Sequence, residues 1–277
     1  MKIKIEDMGF QYNEDAQVLH HIDLDLNEKG LICIIGPNGV GKSTLIKCIN
    51  KLHKPTSGTV LIDGKSVNDY KLKDLAKVMG YVPASANDTF SMTVLDTILM
   101  GRHPHSKVKA TREDLHIVYE VMKELNIMHL AMRNFDELSA GQHQKVAIAR
   151  GLAQEPELLI LDEPTSNLDI RHQIKVTELL YNLAHEGKMT VLMISHDLNV
   201  AARYADKIIV MSTPGVIYDV GHPNDVITKE MIRYVYGMNC EVVYSHDRPH
   251  IILDTAISDE EMIELHKDEG SVDRNNR

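Results

Sequence analysis

The most informative stretch of the chain is Leu31-Ile32-Cys33-Ile34-Ile35-Gly36-Pro37-Asn38-Gly39-Val40-Gly41-Lys42-Ser43. Residues 31–35 are apolar at every position, which is typical of a parallel strand buried on both faces. Residues 36–43 match the pattern G-x-x-x-x-G-K-[ST], whose glycines let successive backbone N–H groups point at phosphate oxygens. A helical apolar pattern follows at Leu45, Cys48, Ile49 and Leu52. The stretch therefore predicts a strand, a phosphate-binding loop and a helix that begins near Lys42.

The composition is typical of a folded globular protein. The 277 residues correspond to one or two compact units, and 43% of them are apolar. The aliphatic runs are far shorter than the roughly 20 apolar residues that cross a bilayer, and the N-terminus lacks the apolar core of a signal peptide. The net charge of −10 argues against a nucleic-acid partner. Cys33, Cys48 and Cys240 have no metal-ligand spacing and are expected to be free thiols.

Strand and helix patterns alternate along the chain. Apolar strand patterns occur at residues 3–5, 19–26, 59–62, 158–161, 191–194 and 208–211. The part between residues 94 and 153 is helical in pattern and contains the stripe Leu115, Val118, Tyr119, Met122 and Leu125 behind the capping signal Thr111-x-x-Asp114. This alternation predicts an α/β fold with a parallel sheet covered on both faces. The acidic residues 259–277 are expected to form a solvated, frayed tail.

Two carboxylates end one of the predicted strands. Asp162 and Glu163 follow the apolar residues 158–161, and both side chains can reach a site where the strand ends and the chain turns. We expect Lys42 to contact the β- and γ-phosphates of a nucleotide. The Ser43 hydroxyl would bind Mg²⁺, and Asp162 would hold the hydration shell of that ion. Glu163 would then polarise an attacking water.

The pentapeptide Leu138-Ser139-Ala140-Gly141-Gln142 opens a predicted helix. Ser139-x-x-Gln142 is a capping box, so the N–H groups and the positive end of this helix form a second candidate anion site. The pentapeptide and the following Gln144-Lys145-Val146-Ala147-Ile148-Ala149-Arg150 resemble the signature of ATP-binding-cassette (ABC) ATPases. Two further segments also resemble elements of that family in the family's order. They are Ser166-Asn167-Leu168-Asp169, which resembles the D-loop, and Ile194-Ser195-His196-Asp197, which resembles the switch segment.

The resemblance spans about residues 3–237 and implies a fold, an activity and partners. The implied fold is an α/β P-loop NTPase core with an antiparallel β subdomain and an inserted α-helical subdomain at about residues 88–153. A single ABC ATPase domain would occupy residues 1–237, followed by a short C-terminal extension and acidic tail at residues 238–277. The implied protein hydrolyses ATP with Mg²⁺ as the nucleotide-binding subunit of an ABC transporter, peripheral at the cytoplasmic face of the cell membrane. Two copies would sandwich two ATP molecules head to tail against transmembrane permease subunits, and an extracytoplasmic substrate-binding protein would be an indirect partner.

The resemblance also assigns site residues by position. It implies that Glu163 is the general base and that His196 senses the γ-phosphate. Ser43 and Asp162 would bind Mg²⁺. The residues expected to bind ATP are Tyr12, Gly36, Pro37, Asn38, Gly39, Val40, Gly41, Lys42, Ser43, Thr44, Ser139, Gly141, Gln142 and Asp169. Tyr12 resembles the aromatic residue on which adenine stacks, although taken alone it would more often be a half-buried strand residue.

Two positions depart from the family pattern. Where the family commonly has Tyr-Val-Pro-Gln, this chain has Tyr81-Val82-Pro83-Ala84. The family's glutamine contacts Mg²⁺ and the attacking water, and alanine has no polar group for either contact. Ala140 in place of the commoner glycine of the signature is a milder departure.

The transported cargo is indicated only by resemblance. The stretch Leu99-Met100-Gly101-Arg102-His103-Pro104-His105 resembles one found in importers of ferric siderophores, haem and cobalamin. Residues 241–253 look like the short C-terminal ending of those subunits. An importer of another class, or a soluble ABC ATPase acting on DNA or ribosomes, would share the motifs, although the single cassette and the acidic charge disfavour the soluble class. A P-loop small-molecule kinase would share only residues 36–43.

Overall fold

The computed structural model describes residues 1–13, 17–84, 92–105, 109–166, 168–186 and 189–268. Its strands are β1 (Ile3–Gln11), β2 (Gln17–Leu26), β3 (Gly30–Ile35), β4 (Ser57–Ile62), β5 (Lys65–Ser66), β6 (Met79–Val82), β7 (Leu158–Leu161), β8 (Thr190–Ile194), β9 (Lys207–Ser212), β10 (Val216–Gly221), β11 (Met238–Ser245) and β12 (Arg248–Ala256). Its helices are α1 (Lys42–Ile49), α2 (Leu72–Val78), α3 (Val94–Leu99), α4 (Arg112–Glu124), α5 (Ala140–Leu152), α6 (Ile170–Glu186), α7 (Leu198–Tyr204), α8 (Pro223–Val226), α9 (Lys229–Tyr236) and α10 (Asp259–Asp268).

The central sheet has the strand order β10-β9-β3-β8-β7-β6. The strands β9, β3, β8, β7 and β6 run parallel to one another, and β10 is antiparallel to β9. Every residue of β3, β7 and β8 is buried, as the continuous apolar runs predict. The carboxyl ends of β3, β7 and β8 therefore meet at one edge of the sheet, where the chemical motifs follow the strands.

Alternate residues of the central strands serve two separate hydrophobic cores. Ile32 and Ile34 of β3 face a core that includes α1 and the antiparallel sheet β2-β1-β4-β5. Leu31, Cys33 and Ile35 face the opposite core, which is built with α3 to α7 and α9. The period-two alternation of a strand thus distributes one apolar run over both faces. The sheet β2-β1-β4-β5 corresponds to the antiparallel β subdomain that the resemblance to the family implied.

The helices α3, α4 and α5 lie between β6 and β7 in the chain, within the region expected to be the helical insert. The predicted capping box at the start of α4 is present, because Thr111 and Asp114 bond reciprocally. The predicted apolar stripe of α4 is only partly buried, since Leu115 and Tyr119 are 45% and 48% exposed. Only the narrow side of α4 that faces α3 and α5 is covered. Leu52 is likewise exposed, because α1 ends at Ile49.

A buried arginine ties the helical region to the end of α5. Arg102 Nε donates to Asp114 Oδ1 at 2.9 Å, and Arg102 Nη1 donates to Ala153 O and Glu155 Oε2, both at 2.7 Å. The side chains of Arg102 and Asp114 are each 5% exposed. A buried charge of this kind is retained only where several hydrogen bonds offset its desolvation.

Replacing this arginine is expected to destabilise the fold. Arg102→Met should lower the free energy of unfolding by about 3–5 kcal/mol, because it removes the guanidinium that is paired with the buried Asp114 carboxylate. Urea unfolding checks this value. The matched control is Lys123→Met, which removes the exposed partner of Glu120 and should change stability by about 0–1 kcal/mol. A loss for Arg102→Met no larger than that of the control would contradict the prediction.

The C-terminal part is more ordered than the sequence suggested. A hairpin of β11 and β12, the C-terminal hairpin, packs against α7 and α9. The expectation of a frayed tail is wrong for Asp259–Asp268, which form α10. Ser258 and Glu261 cap this helix reciprocally, with Ser258 N donating to Glu261 Oε2 and Glu261 N donating to Ser258 Oγ. The acidic composition of the tail obscured this local capping signal. Residues 269–277 lie outside the described residues.

Candidate active site

The loop at residues 36–43 joins β3 to α1 at the carboxyl edge of the central sheet. Gly41 has a φ of +101°, and a Cβ there would lie 2.7 Å from Leu19 Cδ2. Gly36 also has a positive φ, and a Cβ there would collide with the carbonyl oxygen of Met211. Both glycines are required by the loop's conformation and by its close packing. The strand, loop and helix that the sequence predicted are therefore present.

Lys42 points back into this loop. Its Nζ donates to the carbonyl oxygens of Gly36 and Pro37, each at 2.8 Å. Burial lowers the pKa of Lys42, and the nearby carboxylates of Glu163 and Asp162 oppose that shift. An ammonium has three N–H donors, so the two loop bonds leave one for a phosphate oxygen. The lysine is thus preorganised at the base of an anion-binding loop.

A hydroxyl and a carboxylate meet beside Lys42. Ser43 Oγ donates to Asp162 Oδ1 at 2.9 Å, although these residues come from α1 and from the end of β7. Burial is the largest cause that raises the pKa of Asp162, and the hydrogen bonds from Ser43 and Tyr81 oppose it. Both oxygens are hard donors of the type that Mg²⁺ prefers, and Mg²⁺ usually takes only one or two protein ligands. The pair therefore fits the expected ion. Among the described residues, no group of three or more His, Cys, Asp or Glu side chains is placed to hold a metal.

Tyr81 is a member of the site that the sequence analysis did not assign. It lies on β6, opposite Ile160 of β7. Burial, followed by the charge of Asp162 and a hydrogen bond to it, raises the pKa of Tyr81 to about 12. The tyrosine therefore stays neutral and donates to Asp162. The only sequence signal was its place two residues before Pro83, in the segment that departs from the family pattern.

Glu163 and His196 are brought together at the ends of neighbouring strands. Glu163 follows β7, His196 follows β8, and His196 Nε2 lies 2.7 Å from Glu163 Oε1. The backbone of Glu163 has a φ of +52°, an unfavourable conformation for a non-glycine residue that is concentrated at functional sites. The carbonyl of Glu163 accepts hydrogen bonds from the N–H and the hydroxyl of Ser166, which hold the turn. The two residues expected to be catalytic thus contact each other directly.

Tyr12 lies just beyond β1 and is exposed, not half-buried. Its hydroxyl is 3.3 Å from Thr44 Oγ1 and 3.4 Å from His53 Nε2. Its ring packs edge-to-face on Phe10, with centroids 4.9 Å apart. An exposed aromatic ring beside the phosphate-binding loop is suited to stacking against a base.

The predicted signature residues lie at the start of α5. Ser139 and Gln142 form the predicted capping box of α5, with Ser139 N donating to Gln142 Oε1 at 3.0 Å. A Cβ at Gly141 would lie 3.0 Å from the ring of His172 on α6. His172 in turn is hydrogen-bonded through N and Nδ1 to the carboxylate of Asp169. The structure therefore joins the signature to the D-loop. Asn167 of that loop lies outside the described residues.

Comparison with known protein families and relatives identifies the family of this chain. The family model described as ABC transporter matches residues 19–166. An uncharacterized ABC transporter ATP-binding protein of Methanocaldococcus jannaschii is 41% identical over 87% of this chain and 94% of its own. The ferric enterobactin transport ATP-binding protein FepC of Escherichia coli is 37% identical over 82% of this chain and 84% of its own. The cobalamin import ATP-binding protein BtuD of Halobacterium salinarum is also 37% identical, over 82% of this chain and 57% of its own.

Solved structures agree with the observed fold. A transporter described as metal-chelate type, in an inward-facing conformation, has a TM-score of 0.79 at 28% identity and covers 94% of this chain and 98% of its own. A dimeric bacterial ABC transporter cassette has a TM-score of 0.71 at 30% identity and covers 80% of this chain and 98% of its own. The predicted α/β cassette fold is confirmed. Because the family model, the relatives and the solved structures agree, the chain belongs to the ABC transporter family.

Proposed function

We propose that this chain is the ATP-hydrolysing, nucleotide-binding subunit of an ABC importer. The observation that carries the proposal is the contact between Glu163 and His196, directly beside the Ser43–Asp162 pair and the phosphate-binding loop. A candidate base, a candidate metal pair and an anion-binding loop thus share one edge of the sheet. Such an arrangement is suited to phosphoryl transfer to water, in which positioning and charge stabilisation dominate.

The phosphate chain would be held by the loop's N–H groups, by the positive end of α1 and by Lys42. Ser43 and Asp162 would bind Mg²⁺, which when present neutralises charge on the phosphate oxygens. Tyr81 would keep Asp162 oriented, since it donates to the same carboxylate. Tyr12 would stack on the adenine, with Thr44 beneath its hydroxyl.

Glu163 would accept the proton of the attacking water. His196 Nε2 lies 2.7 Å from Glu163 Oε1, so the imidazole lies beside the oxygen that a water would approach. A γ-phosphate offers His196 an alternative acceptor. When His196 donates to that phosphate, Glu163 is released to bind and deprotonate water, and the two residues act in sequence.

Two copies would complete each site. The start of α5 carries the capping box, with N–H groups and the positive end of the helix. In a head-to-tail pair, residues Ser139, Gly141 and Gln142 of one copy would bind the γ-phosphate held by the other, and Asp169 would lie at the same interface. The dimeric cassette with which this chain shares its fold supports this arrangement.

The cargo we propose is a ferric siderophore, haem or a cobalamin. The names of the relatives from Escherichia coli and Halobacterium salinarum refer to ferric enterobactin and cobalamin, and residues 99–105 resemble such importers. The described part of the chain contains no helix of membrane-spanning length and apolarity, so we propose peripheral attachment to permease subunits at the cytoplasmic face. An extracytoplasmic substrate-binding protein would then be an indirect partner.

Co-purification and transport test this proposal. The chain should co-purify with a membrane protein of several helices, and vesicles containing both should take up a ferric siderophore or cobalamin only when ATP is supplied. Uptake of a different solute class would support the alternative of another importer class. ATP hydrolysis without any membrane partner, together with stimulation by DNA or ribosomes, would support a soluble ABC ATPase.

The departure at Ala84 leads to a specific prediction. Ala84 is exposed just beyond β6, where the family's glutamine would reach Mg²⁺ or water. Water replaces a missing Mg²⁺ ligand readily, but misplacement of the attacking water raises the barrier. Ala84→Gln should therefore raise turnover about threefold or more and change ATP affinity by less than about twofold.

Steady-state turnover and ATP titration of Ala84→Gln, measured beside Ser85→Ala, check this prediction. Ser85 lies outside the described residues, and it is the neighbour that would substitute for the missing glutamine. If Ala84→Gln turns over at the parent rate while Ser85→Ala loses turnover, Ser85 already supplies the contact.

A further inference from the structure

The C-terminal hairpin is joined to α7 by an asparagine that pairs with its backbone. Asn199 Nδ2 donates to Ile251 O at 3.1 Å, and Ile251 N donates to Asn199 Oδ1 at 2.7 Å. The side-chain amide thus bonds β12 as a neighbouring strand would, across 52 residues of sequence. Ile251 is buried in the core against α7. The hairpin lies beyond the region matched by the family model, which ends at residue 166.

A second contact fixes the other end of α7 to the same strand. Arg248 Nη1 donates to the carbonyl oxygen of Ala205, the residue that ends α7, at 2.8 Å. Asn199 lies in the first turn of α7. Because α7 has only seven residues, it has little intrinsic stability and its position depends on what it packs against. α7 also packs against α6, α8 and β3, and β12 adds hydrogen bonds at both of its ends.

The first turn of α7 continues directly from the catalytic segment. Asp197 caps the helix, with Oδ1 accepting from Val200 N at 2.9 Å, and the Ser195 hydroxyl donates to Asp197 O at 3.0 Å. His196 lies between Ser195 and Asp197, three residues before Asn199, and its Nε2 is 2.7 Å from Glu163 Oε1. A shift of the first turn of α7 would move this imidazole.

The imidazole is not held by close packing. A cavity of about 420 Å³ adjoins it and is lined by Glu163, His196, Asn199, Ile251 and Leu253 among others. The side chain of His196 is 41% exposed. With open space on this side, the orientation of His196 depends on its contact with Glu163 and on its backbone, which leads directly into the first turn of α7.

We infer that Asn199 is a positioning residue through which the C-terminal hairpin holds His196 against Glu163. This inference rests on the proposed ATPase function. It assigns the hairpin a role in hydrolysis, although none of the residues proposed to bind ATP belongs to the hairpin. Small displacements of a catalytic group are costly to the rate, so loosening the hairpin contact should slow turnover and leave nucleotide binding intact.

The test compares two asparagine variants in the full-length chain. Asn199→Ala removes the two hydrogen bonds to Ile251. The matched control, Asn239→Ala, also removes two side-chain hydrogen bonds of the hairpin, to Arg233 and Thr255, away from His196. Asn199→Ala should lower kcat for ATP by about 3- to 10-fold with a KM within about twofold of the parent value. Asn239→Ala should keep the parental kcat and KM.

A spectroscopic measurement separates positioning from general loosening. The imidazole NMR signal of His196, identified by its absence in His196→Gln, should shift in Asn199→Ala and stay in place in Asn239→Ala. An unshifted signal in Asn199→Ala, an unchanged kcat, or an equal loss of kcat in Asn239→Ala would overturn the inference. Glu163→Gln in the same assay distinguishes a failure of the proposed ATPase function from a failure of the proposed role of the hairpin. A Glu163→Gln rate equal to the parent rate contradicts the proposed catalytic function itself, whereas an inactive Glu163→Gln with an unaffected Asn199→Ala contradicts only the role of the hairpin.

Discussion

Glu163→Gln is expected to lower the rate of ATP hydrolysis by roughly 10² to 10⁴ fold, the range typical of removing a general base. Glutamine keeps the shape of the side chain beside His196, but its amide accepts no proton from water. Lys42, Ser43 and Asp162 are untouched, so ATP and Mg²⁺ should bind as before. Uncleaved ATP should then hold two copies together, and size-exclusion chromatography with ATP should show a dimer that persists.

The matched control is Glu157→Gln, which makes the same substitution just before β7. Glu157 is exposed and faces the N-terminal ammonium group at 3.7 Å, and its replacement should leave turnover within about twofold of the parent rate. Hydrolysis at the parent rate in Glu163→Gln would exclude this residue as the base. A persistent ATP-bound dimer without loss of turnover would be equally incompatible with the assignment.

The second large effect is expected from mixing two inactive chains. Lys42→Ala removes the ammonium that is held over the phosphate-binding loop, and Ser139→Arg destroys the capping box of α5. Each change alone should reduce hydrolysis by roughly 10² to 10³ fold, as loss of a transition-state donor does. If both residues act on one ATP from different chains, a heterodimer contains one intact composite site.

An equal mixture of the two variants should recover about a quarter of the parent activity, because half of the dimers are mixed and each has one of two sites intact. Two different affinity tags, used in sequence, verify that heterodimers form. Self-mixing of each variant serves as the control and should restore nothing. Heterodimers that form without any recovery of hydrolysis would contradict the composite site.

Predictions that depended on short-range spacing agreed with the structure. The apolar run at residues 31–35 became a fully buried strand, and both predicted capping boxes, at Thr111 and at Ser139, are present. Caps and turns involve residues three or four apart, so their signal is complete within a few positions. The errors within α4 came from burial. Tyr119 lies in the apolar stripe at helical spacing, but this residue is 48% exposed. Helical spacing shows which face of a helix a residue lies on, and it does not show whether another element covers that face.

Spacing also does not show which residues of distant elements contact each other, and this explains why some residues near the site were not identified from the sequence. Tyr81 and Asn199 belong to no motif, and their importance comes from their partners, Asp162 and Ile251. His172 is similar, since its contacts with Asp169 and Gly141 arise where the first turn of α6 meets the start of α5. Such residues become visible only when the distances between elements are known.

The amino-acid sequence by itself determined the strand, loop and helix around Lys42, the carboxylates at the end of β7 and the capped start of α5. These depend on local backbone preferences and on the periodicity of apolar residues. Three contacts are visible only in the folded structure. Ser43 donates a hydrogen bond to Asp162 across 119 residues, His196 contacts Glu163, and β12 of the hairpin is hydrogen-bonded to α7. The first two of these contacts follow from the order β3-β8-β7-β6 of the central sheet. Strand order is set by the simultaneous packing of helices on both faces of the sheet, a long-range free-energy balance that no local pattern encodes.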